Sequence, residues 1–298
     1  MSRLSELVES RERHIVTAEF PSIDGGGLDA VRSKLDPLLP YVDAINATDN
    51  PAAHAHASNV SIAIALATLG AEPILQVVCR DRNRIAQQAD IMGAALFGVE
   101  NICALTGDDV TAGDEPEARR VFDLDSPQLI RVASGLAEGR YLSGRPIADP
   151  PRLFIGAVEN PSAPPLDYRV KRAALKSNEG ARFLQLQICY YPDRLEKFIT
   201  GCVAEGIDVP TALLPTVCLT KSARALTFMH DNVPGIDVPD DIRRRVASAA
   251  NPAEESYQVT REIAQHALSL RGVAGLHITD FRHDGSLARL VGDLGLRP

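Results

Sequence analysis

Eight short apolar runs, each followed by a stretch of helical spacing, constrain this chain more than any other feature. The runs fall at 14–20, 42–46, 73–79, 101–105, 153–158, 183–187, 209–214 and 275–278. Helical spacing follows at 28–39, 54–69, 85–97, 127–136, 170–179, 193–205, 220–231, 240–249, 253–270 and 287–294. The run at 102–105 is wholly apolar, as suits a strand buried on both faces, and the alternation of the runs with helices means parallel βα units. Eight such units in 298 residues fit a closed barrel better than an open sheet. The reading is a single domain over 1–298, a (βα)8 TIM-type barrel with an extra helix before strand eight. Residues 215–219 read as a loop opened by Pro215. A dinucleotide fold would need G-x-G-x-x-G after an early strand, and Gly25-Gly26-Gly27 lacks that spacing. No P-loop occurs.

Composition narrows the setting. No apolar run approaches the roughly 20 residues that span a bilayer. The first residues, Met1-Ser2-Arg3-Leu4-Ser5-Glu6, lack the apolar core of a signal peptide, so a cytoplasmic protein is expected. The five cysteines, at 79, 103, 189, 202 and 218, form no C-x-x-C pair and read as reduced core residues. A net charge of −8 argues against a nucleic-acid binder, and the absence of Trp argues against a base-stacking platform.

In a parallel barrel the carboxyl ends of the strands converge on one face. Taken in order they present Glu19, Asn46 with Thr48, Gln76, Asp108, the 157–160 turn, Gln187, residues 213–215, and His277 with Asp280. Thr106-Gly107-Asp108-Asp109 stands out, a Gly and two carboxylates directly after a buried run. It serves equally as an ordinary turn, since Gly and Asp are common turn formers. The ring holds no His-rich or Cys-rich set for a metal, no Gly-x-Ser-x-Gly elbow and no strand-end Lys for a Schiff base. His54 and His56, two apart on an expected helix, would not share a face and read as surface or packing residues. His277 reads as a core histidine. What remains suits an organic cofactor that carries the chemistry while the protein orients it.

Several strand-end segments together resemble a known family. They are Ala18-Glu19-Phe20, Leu105-Thr106-Gly107-Asp108, Phe122-Asp123-Leu124-Asp125-Ser126, Lys176-Ser177-Asn178-Glu179-Gly180-Ala181, Leu186-Gln187 and Leu214-Pro215, in that order. The set is similar to methylenetetrahydrofolate reductase in its bacterial single-domain form. The resemblance implies an FAD-containing barrel that interconverts 5,10-methylenetetrahydrofolate and 5-methyltetrahydrofolate, with NADH or NADPH as hydride source. It implies that Glu19 is the general acid that protonates folate N10, and that Asp108 lies beside flavin and pterin. Gln187 is then a folate and nicotinamide contact, and Lys176 meets the FAD phosphates. Asn46, Thr48, Gln76, Gly107, Phe122, Asp123 and Ala157 inherit cofactor-lining roles. Tyr190 and Leu219 fall among the substrate-binding positions. The family often assembles, so a homo-oligomer is expected.

The sequence also departs from the family. Thr106 replaces a common Arg, and Gln76 stands where His is frequent. Leu219 replaces an aromatic that stacks on the nicotinamide or folate. Ile188, Cys189, Tyr190 and Tyr191 replace a phenylalanine-rich run, although either tyrosine could still stack on a ring. These changes leave open a flavin-independent relative, or a binding subunit that needs a partner.

Overall fold

A computed structural model describes residues 1–297. Eight parallel strands close into a barrel in sequence order. They are β1 (Ile15–Glu19), β2 (Ala44–Ala47), β3 (Pro73–Val78), β4 (Asn101–Leu105), β5 (Phe154–Glu159), β6 (Phe183–Leu186), β7 (Ala212–Leu219) and β8 (Gly275–Asp280). Helix α1 (Arg3–Ser10) precedes β1. Helices α2 (Gly27–Leu35), α3 (Asn59–Thr68), α4 (Arg84–Ala95), α5 (Ser126–Ala137), α6 (Leu166–Asn178) and α7 (Pro192–Ala204) each follow one strand. Three helices separate β7 from β8, two beyond the regular repeat and not the single extra one expected: α8 (Ala223–Asn232), α9 (Asp240–Ser248) and α10 (Pro252–Ser269). Helix α11 (Ser286–Asp293) follows β8. Among the described residues, no helix is long and apolar enough to cross a membrane.

Strand periodicity divides the side chains into two sets. Ala18, Ala47, Leu75, Ala104, Ala157, Leu184, Leu219 and Ile278 point outward and join the layer beneath the helices. The alternate positions point into the barrel. There Ile15, Ala44, Ile74, Cys103, Phe183, Ala212 and Leu214 form an apolar floor. Helix α1 covers that floor from the amino-terminal mouth with Leu4, Leu7 and Val8. Its spacing of apolar residues puts all three on one face. The helix starts cleanly because the Ser2 hydroxyl accepts from the Ser5 amide at 3.1 Å. The polar character of residues 1–6 had masked this helix in the sequence.

Two further expectations are corrected. The helix expected over 54–69 begins at Asn59, because Asn50, Ala52 and Ala53 adopt left-handed backbone and break the chain after Pro51. His54 and His56 therefore lie in a loop. Residues 215–219 are strand, not loop. Pro215 pairs with Leu186 at the end of the β6 register, and Thr216–Leu219 continue against His277–Asp280 of β8. A proline missing its amide is tolerated where the ladder changes partner.

Candidate functional site

At the carboxyl ends of the strands a cavity of about 770 Å³ opens to solvent. Ligand sites of this kind span about 300–1,000 Å³. Its floor is built on the inward side chains just above the apolar layer. Gln185 of β6 and Asn46 of β2 exchange two amide hydrogen bonds across the barrel, at 2.7 and 3.0 Å. The Gln185 amide nitrogen also lies 3.2 Å from His277 Nδ1, and the Thr17 hydroxyl lies 2.8 Å from the same atom. An amide nitrogen can only donate, so Nδ1 accepts from Gln185 and the ring proton sits on Nε2. That atom faces Glu19 Oε1 at 3.9 Å. Glu19 ends β1 with its side chain 31% exposed to the cavity, so its carboxyl is open to a ligand on one side and backed by His277 on the other.

Asp108 stands on the opposite wall. Burial pushes its carboxyl pKa up, and the nearby Arg80 guanidinium pulls it partly back. Arg80 is itself held by Asp81 through two contacts of 2.7 Å and by the Asn50 carbonyl at 3.1 Å. Gly107 has φ +92°, and a Cβ there would lie 2.5 Å from Val78 Cγ1. Only glycine lets the chain turn so tightly beneath Asp108. Gln76 and Gln187 also line the cavity, and the Gln187 side-chain oxygen accepts from the Ile188 amide at 2.9 Å.

The structure thus brings Glu19, Gln76, Gly107, Asp108 and Gln187 to one cavity, as the strand-end reading expects. Asn46 lies one layer lower, occupied by Gln185. The other expected site residues lie elsewhere. Ala157 and Leu219 sit on outward-facing strand positions and are fully buried under the helices. Tyr190 is buried beneath α8 with Ile188, Leu226 and Met229. Thr48 follows the end of β2 and does not line the cavity. Phe122 occupies a left-handed turn outside the lining. Asp123 is clasped by Arg84, which donates to both carboxylate oxygens at 2.8 Å and holds its pKa down at about 2.

Lys176 is the clearest correction. It is buried behind β5, with Nζ 2.7 Å from Glu159 Oε2 and bonded to the Val158 carbonyl. A lysine enclosed in this way is not presented to a phosphate group. The residues assigned to FAD by resemblance are therefore divided: Gly107, Asp108 and Gln76 line the cavity, while Asn46, Thr48, Phe122, Asp123, Ala157 and Lys176 do not. As a set they do not fit a flavin cradle.

Sequence reasoning missed Gln185, the centre of the polar layer. The signal was available, since Phe183, Gln185 and Gln187 share one face of a strand whose alternate residues are leucines. It also missed Arg224, Phe228 and Phe281 on the cavity wall, because they lie on a helix and a loop where strand-end logic does not reach. His54 and His56, read as surface or packing residues, line the same wall, and His56 Nδ1 lies 2.8 Å from Asp24. All five cysteines are free and buried, and burial pushes the Cys103 thiol up to about 12.

Fold and site together define a βα-barrel protein whose carboxyl-end cavity holds one open carboxyl group backed by an imidazole. The chain belongs to the methylenetetrahydrofolate reductase family, whose model matches residues 9–295. A relative from Caenorhabditis elegans, a probable methylenetetrahydrofolate reductase (NADPH), is 22% identical over 306 residues. That alignment takes in 99% of this chain and 44% of the relative, so the chain spans less than half the relative's length. Among solved structures, an uncharacterized protein from Clostridium thermocellum that binds two copies of 5-methyl-5,6,7,8-tetrahydrofolic acid superposes with a TM-score of 0.69. Its identity is 14%, and 98% of this chain and 99% of that one are covered. An EDTA monooxygenase from Chelativorans sp. BNC1 superposes at 0.59 with 12% identity, over 96% and 95% of the two chains. At these identities the structural likeness speaks for the fold alone.

Proposed function

We propose that this barrel is a folate-related oxidoreductase that reduces 5,10-methylenetetrahydrofolate to 5-methyltetrahydrofolate with a hydride from NADH or NADPH. The observation that carries the reading is Glu19, an open carboxyl group at the cavity floor with His277 Nε2 behind it, in a chain of this family. The chemistry needs such a group. The folate N10 amine leaves poorly unless it is protonated, and a positioned carboxylic acid supplies that proton. Glu19 donates to N10, the bond between N10 and the bridging methylene breaks, and the electron pair stays on N10. The methylene remains on N5 as an iminium cation. Hydride adds to the methylene carbon to give the methyl group, and Glu19 regains its proton from solvent. Asp108 lies within the same cavity, where its ionised form stabilises the cation. Gln76 and Gln187 offer amide groups for the polar edge of a pterin, above the Gln185 layer.

For the hydride, direct transfer from the reduced nicotinamide is the route these residues favour, because most of the expected flavin-binding set is turned away or already paired. FAD, which would relay the hydride, is the second reading. Gly107 and Asp108 favour it, since the resemblance puts both beside a flavin. A visible absorbance spectrum of the purified protein, followed by an assay of NADH and NADPH oxidation with methylenetetrahydrofolate and no added flavin, separates the two. Folate-dependent oxidation by a colourless protein supports direct transfer. Flavin bands that bleach with NADH and recover with the folate support FAD. A protein without folate-dependent oxidation under either condition contradicts the reductase reading.

A further inference from the structure

The wall above the cavity floor carries two aromatic side chains that the chemistry of Glu19 does not use. Phe228, on α8, is 61% exposed, and Phe281, just after β8, is 59% exposed. Both line the cavity. Phenylalanines this open to water in the lining of a cavity offer apolar ring surface that the protein itself leaves largely uncovered. Their positions are fixed by buried structure. The Phe281 amide donates to the Leu219 carbonyl at 3.0 Å, which ties the end of β8 to the strand from which α8 departs. On α8, Leu226 and Met229 are buried and anchor the helix, leaving Phe228 to the cavity side. Arg224 lies four residues before Phe228, on the same helix face, and also lines the cavity. Arg80, the other arginine of the lining, is locked to Asp81. The exposed Arg224 forms no ion pair among the described residues.

Beside the polar groups around Glu19 the cavity wall thus offers two open aromatic rings and an unpaired cation. Phe281 is four residues beyond His277, about 13 Å along the strand at roughly 3.3 Å per residue. It belongs to the mouth and not to the reacting floor. A folate carries a part to match each. A polar pterin carries the reacting carbon, a flat aminobenzoyl ring follows N10, and a glutamate with free carboxylates ends the molecule. A dinucleotide has no flat apolar ring next to its reacting nicotinamide. Resting on the folate reading above, we propose that Phe228 and Phe281 grip the aminobenzoyl ring of the substrate and that Arg224 takes its glutamate carboxylate. These three side chains would then select whole folates over bare pterins.

Equilibrium titration of the full chain tests this, with 5-methyltetrahydrofolate, 6-methyltetrahydropterin (which lacks the aminobenzoyl-glutamate) and NADH as separate probes. Phe228→Ala and Phe281→Ala change exposed side chains, and each should weaken 5-methyltetrahydrofolate about tenfold. Arg224→Gln should weaken it about threefold to tenfold, with a loss that shrinks as salt is raised. Affinity for the pterin and for NADH should not change in any variant. If the three variants bind 5-methyltetrahydrofolate like the parent protein, the inference is wrong although the folate reading stands. If NADH weakens in their place, the aromatic wall belongs to the hydride donor and the inference is again wrong. A parent protein that binds no 5-methyltetrahydrofolate overturns the proposed function itself.

Discussion

Among single residues, Glu19 carries the proposed proton transfer. Replacing its carboxyl by an amide in Glu19→Gln keeps size and hydrogen bonding but removes the transferable proton. Turnover of methylenetetrahydrofolate should fall by about 100-fold or more, the scale of a lost general acid. Affinity for 5-methyltetrahydrofolate should change little. Steady-state rates beside a binding titration check both, and a variant that retains full turnover removes Glu19 from the role. Gly107 makes a second case. An alanine would combine a positive φ with a Cβ 2.5 Å from Val78 Cγ1. Gly107→Ala should cost about 1–3 kcal/mol in denaturant unfolding and displace Asp108 from the wall. Both residues were legible before the structure, because acidic and glycine residues directly after a strand stand at the binding end of a barrel. Lys176 was not. Its sequence position matched a phosphate contact, but a buried carboxylate at Glu159 claims it, and such pairings between distant positions leave no local pattern.

Secondary-structure elements were the more readable level. Strand β4 has the limits that its apolar run indicates, and the other strands differ by a few residues at their ends. The errors have physical causes. Left-handed backbone at Asn50, Ala52 and Ala53 delays α3, and Pro215 lies inside β7 because that strand changes its pairing there. Side-chain parity was present but unused. Ala157 is flanked by Gly156 and Val158, and counting from the inward Gln185 across the paired strands places it on the outer face. Helix α6 carries its own prediction. Its Lys176 and the Glu159 of β5 are both almost wholly enclosed, with Arg169 at 3.4 Å from the carboxylate. Lys176→Met leaves that carboxylate short of a partner and should cost about 3–5 kcal/mol of stability in urea unfolding. Adding Glu159→Leu should recover a large part of the loss, and folate and NADH affinities should stay level throughout. A fall in NADH or flavin affinity without a loss of stability would return Lys176 to a phosphate-binding role.

At the scale of the whole molecule, closure of the barrel joins the two ends of the chain. The buried Asp43 carboxylate accepts from Arg13 at 2.6 and 3.0 Å, from the Val16 amide at 2.9 Å, and from Arg297. Burial alone would raise its pKa, but these donors outweigh it and set the value below the ordinary 3.8. The native state therefore holds the ionised form more tightly than the unfolded chain does. Its contribution is complete above about pH 4 and is lost as the pH falls through the lower native value. Asp43→Asn should destabilise the protein near neutrality and flatten the acid limb of its stability profile, as thermal melts across pH would record. An acid limb unchanged by the substitution would show that other carboxylates govern it. The sequence disclosed the barrel and its binding end because both follow from periodicity along the chain. This clasp, the cover supplied by α1 and the aromatic wall were hidden because they arise from pairings that only closure creates.

The most direct test is a single turnover with NADH deuterated at the transferable position, methylenetetrahydrofolate, and no added flavin. The account predicts one deuterium in the methyl group of the product, at a rate that collapses in Glu19→Gln. A methyl group carrying solvent hydrogen, or equal rates in the two proteins, would contradict it.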